Sequence, residues 1–214
     1  MKEIKVLIIG AGGHGQVVAD ILWRMRDLDS GIVPLGFLDD RPDLLGQTFL
    51  QVPIVGGIPD RHKIQHDAII VAIGENETRK RVFQLLQQEG SAFTFAQHPK
   101  SIVAPDVQIG ASVMICAGAV VNTGTALGEA VILNTGSTVD HHNHIGNYVH
   151  IAPGAHLGGE VEVGEGALIG IGAIVMPTKR IGAWSIVGAG ALVHQDVPEY
   201  SVVVGVPARV IRKL

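Results

Sequence analysis

The chain has 214 residues, 47% of them hydrophobic and 17% charged, with a net charge of −4. That balance excludes a nonspecific nucleic-acid binder, which needs basic surface, and the single cysteine, Cys116, excludes an internal disulfide framework and fits a reducing compartment. No apolar stretch approaches the roughly 20 residues of a membrane span, and the short run 6–13 ends in glycines without a signal-peptide cleavage site, so a soluble, cytoplasmic protein is expected.

The first hundred residues alternate strand and helix patterns. Residues 5–9 predict a buried strand, Gly10 to Gly15 a turn, and 16–26 an amphipathic helix with Val17, Val18, Ile21 and Leu22 inward. A second strand over 33–38 ends in Asp39 and Asp40. A third over 68–73 ends in Gly74-Glu75-Asn76, and 77–88 reads as another helix. This order predicts a small parallel sheet covered by helices, with the join near Gln97-His98-Pro99: a unit over 1–98 and a second over 99–214.

Gly10, Gly12 and Gly15 satisfy G-x-G-x-x-G between a strand and a helix, and Asp39 follows at the distance where an acidic residue meets a ribose hydroxyl. Amides at the helix N-terminus would hold a phosphate. A tight turn without ligand is the plainer alternative. Only half of a full dinucleotide fold fits before the pattern changes.

From Val103 to Val193 an aliphatic residue stands at every sixth position, and four residues after each comes a small or β-branched one, broken only by Asn143 and Lys179. A period of six suits a coil of three short strands, eighteen residues per turn and roughly five turns in all. The thin interior accounts for the 4% aromatic content, and corner positions for much of the glycine.

Within the hexads, Asp140-His141-His142-Asn143-His144 is a polar cluster that interrupts the repeat. Stacking at eighteen residues places His141 between Thr123 and Gly159. His144, His150 and His156 share one hexad position on three successive faces, point three ways and cannot share one metal within a subunit, so no metal is expected. For each histidine, a solvent-facing side chain is the plain alternative.

The combination of G-A-G-G-H-G, F-L-D-D, A-I-G-E-N-E-T-R-K-R, L-N-T-G-S-T-V-D-H-H, H-I-A-P-G-A-H-L-G-G, I-G-I-G-A-I-V-M-P and G-V-P-A-R resembles, in order and over nearly the whole chain, the bacterial sugar-nucleotide N-acetyltransferases. These are hexapeptide acyltransferases that include bacillosamine and perosamine N-acetyltransferases and sialic-acid O-acetyltransferases. The resemblance implies an N-terminal half-Rossmann (βαβ) domain followed by a left-handed parallel β-helix, and a homotrimer with its sites between subunits. It implies transfer of acetyl from acetyl-CoA to a nucleotide-linked amino sugar, a 4-amino-4,6-dideoxyhexose, in surface-glycan synthesis.

By motif, the catalytic base falls on His141; Gly159, stacked above it at a glycine-rich corner, is a candidate oxyanion donor through its backbone N–H. The nucleotide site falls on Gly12, Gly13, His14, Asp39, Asp40 and Gly74, and the acetyl-CoA contacts on His150, Ile171 and Ala189. Some relatives carry a glutamate directly after the base; here that position is His142, which leaves Asp140, another acid or no partner to orient His141. Arg209, Arg212 and Lys213 could meet CoA phosphates, although a solvated basic tail is the simpler reading. Sugar O-acetylation, a γ-carbonic-anhydrase-like metalloenzyme and a non-catalytic sugar-nucleotide sensor are the alternative functions.

Overall fold

The run Val6 to Ile9 is continuously apolar because its strand is covered on both faces, and all four residues are fully buried. In the computed structural model, which describes residues 3–28 and 31–214, this strand is β1 (Ile4–Ile9). It is followed by α1 (Gly13–Arg26), β2 (Ile32–Leu38), β3 (Thr48–Phe49), β4 (Val52–Gly56), β5 (Ala68–Val71) and α2 (Asn76–Gln88). The sheet order is β3-β4-β2-β1-β5, parallel except for β3 on the edge. The chain leaves β1 toward β2 and returns to β5 on its other side. Strand order therefore reverses between β1 and β5, and the crevice at their carboxyl ends is where such sheets take ligands.

Two details differ from expectation. The helix α1 begins at Gly13, inside the glycine turn, and its buried stripe is Gly15, Val18, Ala19, Ile21 and Leu22. Val17 lies about 100° round the helix from Val18 and is 40% exposed rather than inward. The hairpin β3–β4 was not expected, since Thr48–Phe49 is too short to carry an alternating pattern.

The chain divides into Met1–Pro99 and Lys100–Leu214. The second unit is a three-sided parallel β-helix of two-residue strands, left-handed in its coil. Pairing follows the eighteen-residue step: Val121 opposes Val139, Val139 opposes Leu157, and Leu157 opposes Val175. The hexad aliphatics and the residues four places on form one continuous core from Val113 to Val203, with Val103, Val107 and Ile109 partly buried at its start. Each fully buried aliphatic contributes about 1.5–3 kcal/mol, so a short strand on every face suffices.

The outward positions distinguish the faces. The first carries Ile102, Val120, Thr138, His156, Ile174 and Leu192, the second Gln108, Ala126, His144, Glu162 and Arg180, and the third Met114, Ile132, His150, Leu168 and Ile186. His144, His150 and His156 thus belong to three different sheets. At the C-terminus, Arg209–Lys213 pairs antiparallel with Ser201–Val204, so the basic residues lie on an exposed edge strand and not on a loose tail. Among the described residues, no helix is long and apolar enough to cross a membrane.

Candidate active site

The glycine turn is drawn tight by its own packing. A Cβ on Gly15 would stand 2.0 Å from the Gly10 carbonyl oxygen, so only glycine lets α1 start this close to β1. Gly13, by contrast, faces open space at its Cα, as a position approached by a ligand requires. Asp39, at the end of β2, binds the turn directly: its Oδ2 accepts from the Ala11 amide at 2.8 Å. Arg41 closes on the same carboxylate, Nε donating to Oδ1 and Nη2 to Oδ2, each at 2.9 Å. The Arg41 hydrogen bonds, joined by the Ala11 amide, hold the Asp39 carboxyl down at about 2.

Asp40 turns elsewhere and accepts from the Ile58 amide at 2.8 Å, where the short helix Ile58–Lys63 begins. Gly74 lies across the crevice, 4.0 Å from the His14 Cβ measured from its own Cβ position. Burial, and then the charge of Arg79, push His14 down to about 4, so its imidazole is neutral at physiological pH. Gly12, Gly13, His14, Asp39 and Gly74 are thereby gathered at the switch point, while Asp40 supports its wall.

Arg79 is the residue that sequence reasoning missed in this region. It is fully buried and donates to the carbonyls of Ile73 and Gly74, at 2.9 and 3.0 Å, and to Asn76 Oδ1 at 2.7 Å. Burial lowers it to about 9. The loop carrying Gly74 is thus held from beneath. A signal was present: Arg79 falls in phase with Val82, Phe83 and Leu86 on the apolar face of α2.

In the β-helix, His141 sits at the corner between the first and second faces. The coils stack through this corner: the His142 amide donates to the Thr123 carbonyl and the Glu160 amide to the His141 carbonyl, both at 2.9 Å. Gly159 makes room for the ring, since a Cβ there would lie 2.4 Å from His141 Cε1 and 2.6 Å from Nε2. The Asp140 carboxylate does not touch the imidazole. It accepts from the His141 backbone amide at 2.8 Å and from Asn122 Nδ2 at 2.9 Å. Those bonds, that of Asn122 foremost, hold it below the usual carboxylate range. The group beside the ring is His142, Nδ1 to Nδ1 at 3.1 Å.

The polar cluster breaks the sequence repeat without interrupting the coil. Thr138–Val139 and His144–Ile145 keep their register with the coil above. Asn143 points into the core with no exposure. Its Nδ2 donates to the carbonyls of Asp140 at 2.6 Å and Gly158 at 3.0 Å, and its Oδ1 accepts from the Val161 amide at 3.0 Å. An inward asparagine therefore pins the backbone that presents His141.

The remaining residues gather on another edge. Ile171, 62% exposed, is joined to the next coil by its carbonyl, which accepts from the Gly190 amide at 2.8 Å. It stacks with Pro153 below and Ala189 above at the corner between the third and first faces. His150 on the third face is 3.1 Å from Asn134 Nδ2. A whole face, bearing Thr138, His156 and Ile174, separates this edge from His141 within one chain. Cys116 is buried, and burial raises its thiol to about 12, which leaves it inert as a nucleophile.

Comparison with known proteins follows the same division. Residues 5–86 match the PglD N-terminal domain family. The whole chain is similar to the acetyltransferase domain of PglB from Neisseria gonorrhoeae FA1090 in complex with acetyl coenzyme A, with 34% identity and a TM-score of 0.91 over 98% of this chain and 100% of that one. It is also similar to PerB from Caulobacter crescentus in complex with CoA and GDP-perosamine, with 35% identity and a TM-score of 0.87 over 97% of each chain. UDP-N-acetylbacillosamine N-acetyltransferase of Bacillus subtilis (strain 168) is 36% identical over 114 residues, 52% of this chain and 51% of that protein, so the match spans about half of the curated relative. With the glycine crevice, the hexad coil and near-complete coverage of two solved relatives in agreement, the chain belongs to the bacterial sugar-nucleotide N-acetyltransferase family.

Proposed function

We propose that this chain transfers acetyl from acetyl-CoA to the amino group of a nucleoside-diphosphate-linked 4-amino-4,6-dideoxyhexose in bacterial surface-glycan synthesis. The observation that carries the reading is the His141 imidazole seated on Gly159 in a chain that matches, end to end, relatives bound to acetyl coenzyme A and to CoA with GDP-perosamine. The nucleotide lies at the crevice between β1 and β5. The diphosphate rests on the amides of Gly12, Gly13 and His14, and Asp39 faces the ribose, with Gly74 and Asp40 framing the wall.

A sugar ammonium has no lone pair, so its amine must be free before attack. His141 Nε2 takes one of the two amine protons as the C–N bond forms, leaving the other on the amide nitrogen, then returns it to the departing CoA sulfur as the C–S bond breaks. The oxyanion between these steps needs a backbone donor beside the base, and the Gly159 amide lies there. His150, Ile171 and Ala189 line the acetyl-CoA path. Because they stand a face away from His141 in one chain, and the intervening face is largely apolar, a homotrimer completes each site between two copies. Action in the cytoplasm follows from use of an intracellular thioester.

The test is a panel of UDP-, GDP- and dTDP-linked 4-amino sugars, with their 4-hydroxy counterparts, and acetyl-CoA, monitored by free thiol release. Turnover should appear with at least one and fall about 10²- to 10⁴-fold in His141→Asn with both substrates still bound. Thiol release only with sugars lacking a free amine would replace this reading with O-acetylation; none with any sugar would end it.

A further inference from the structure

Two imidazoles that meet Nδ1 to Nδ1 at 3.1 Å share one proton between them, and its position decides whether His141 can act as a base. If His142 holds it, His141 must be protonated at Nε2 and has no lone pair to offer the substrate. If His141 holds it, Nε2 is free. The rings cross edge-on, at 75° with centroids 5.3 Å apart, which suits one directed hydrogen bond.

We propose that His142 is a positioning residue that accepts the His141 Nδ1–H, and that Asp106, two coils earlier and reaching up to the Thr123–Gly124 corner beneath His142, fixes the His142 tautomer that allows this. The inference rests on His141 being the base. The opposite edge of His142 lies over Gly124, where a Cβ would stand 2.6 Å from Cδ2 and 2.9 Å from Nε2. The Gly124 amide donates to Asp106 Oδ2 at 2.9 Å, and the Thr123 hydroxyl donates to the same oxygen at 2.7 Å. The Asp106 charge is thus fixed at the corner on which the Cδ2–Nε2 edge of His142 rests, and acts on that ring through space, without a hydrogen bond; a negative charge on that side favours a proton at Nε2 and leaves Nδ1 as acceptor. Those two bonds, the Thr123 one foremost, also keep the Asp106 carboxyl in its charged form. Asp140 bonds neither ring: its Oδ1 accepts from the His141 amide and from Asn122.

During turnover the amine proton moves to His141 Nε2 and on to the thiolate sulfur. The Nδ1 proton stays between the two rings throughout, and His142 neither gives nor takes one.

A double-mutant cycle tests the relation. His142→Ala should lower kcat about tenfold with KM unchanged, and His142→Glu should restore it, because a carboxylate accepts the Nδ1–H directly. Asp106→Asn should cost about tenfold in the parent but no more than about twofold in the His142→Glu background. Equal losses in both backgrounds would mean that Asp106 only holds the Thr123–Gly124 corner, and would overturn the proposal. Nitrogen NMR of the parent supplies an arm that needs no variant: His141 should be the Nδ1–H tautomer and His142 the Nε2–H tautomer, and the reverse would overturn it. Full activity in His141→Asn would instead remove the base on which the inference rests, whereas an inactive His141→Asn with an additive cycle would remove only the His142–Asp106 relation.

Discussion

The imidazole of His141 fills the space that a side chain on Gly159 would need, with Cε1, Nε2 and Nδ1 all within 3.0 Å of the Cβ position. The backbone at 159 is not left-handed, so Gly159→Ala acts on the ring and not on the corner. The ring must move, and misplacement of a catalytic group by about 1 Å costs on the order of 10²-fold. Gly159→Ala should therefore lose that much kcat while its melting temperature barely changes. Gly164→Ala is the counterpart: its Cβ would meet the Ala183 backbone nitrogen at 2.5 Å, which cannot swing aside, so stability should fall there. If Gly159→Ala turns over within a few-fold of the parent, the ring has another place to work.

Asn143 looks like an error in the repeat, and restoring the pattern should harm the protein. Asn143→Ala would leave the Val161 amide and the Gly158 carbonyl without their side-chain partner in a site of no exposure, and the Asp140 carbonyl with the Thr125 hydroxyl alone. Buried groups left unsatisfied cost about 1–3 kcal/mol each, so urea unfolding should show a loss on the order of 3 kcal/mol. Asn143→Val matches its neighbours in hexad position but removes the same three hydrogen bonds. Equal or greater stability in Asn143→Val would show that the bonds contribute nothing net.

Most of the fold was legible because the coil has one simple rule. An aliphatic every sixth residue gives the face, the turn and the stacking partner at once, so Thr123, His141 and Gly159 could be aligned from spacing alone. The rule is blind to polar residues that point inward, and Asn143 therefore read as an interruption. In the first unit, the glycine spacing and Asp39 located the crevice. The hydrogen bonds of Asp39 to Ala11 and Arg41, and the burial of Arg79 under the Gly74 loop, depend on where long side chains fold back, which periodicity does not encode. Val17 was misplaced for a related reason: moving the start of α1 into the glycine turn left the stripe to its neighbour.

His14 should make stability depend on pH in a defined window. Its folded value of about 4 lies below the ordinary 6.5, so the unfolded chain binds more protons between those values and stability rises with pH there. The contribution is complete above about pH 6.5 and is lost as pH falls through about 4. Asp39, held at about 2 against an ordinary 3.8, acts in the same direction but only below about pH 4. Urea midpoints at pH 7.5 and pH 5 should converge in His14→Gln relative to the parent. An unchanged drop in that variant would assign the acid sensitivity elsewhere.

The proposed trimer makes the sharpest demand, because the two halves of the proposed acetyl-transfer site stand on different edges of the same β-helix. His141 lies between the first and second faces, and Ile171 between the third and first. A flat face becomes a pocket for a pantetheine arm only when a second surface closes over it. The outward residues of the first face, with Ile102 68% and Ile174 46% exposed, suit contact with a second copy. His141→Ala and Ile171→Trp should each be nearly inactive as pure proteins. Mixed and reassembled, they should regain activity, because some interfaces then pair an intact His141 edge with an intact Ile171 edge. Sedimentation should show three chains per particle. No recovery on mixing, with exchange of subunits confirmed, would place both residues in one chain's site, and an active monomer would remove the shared groove altogether.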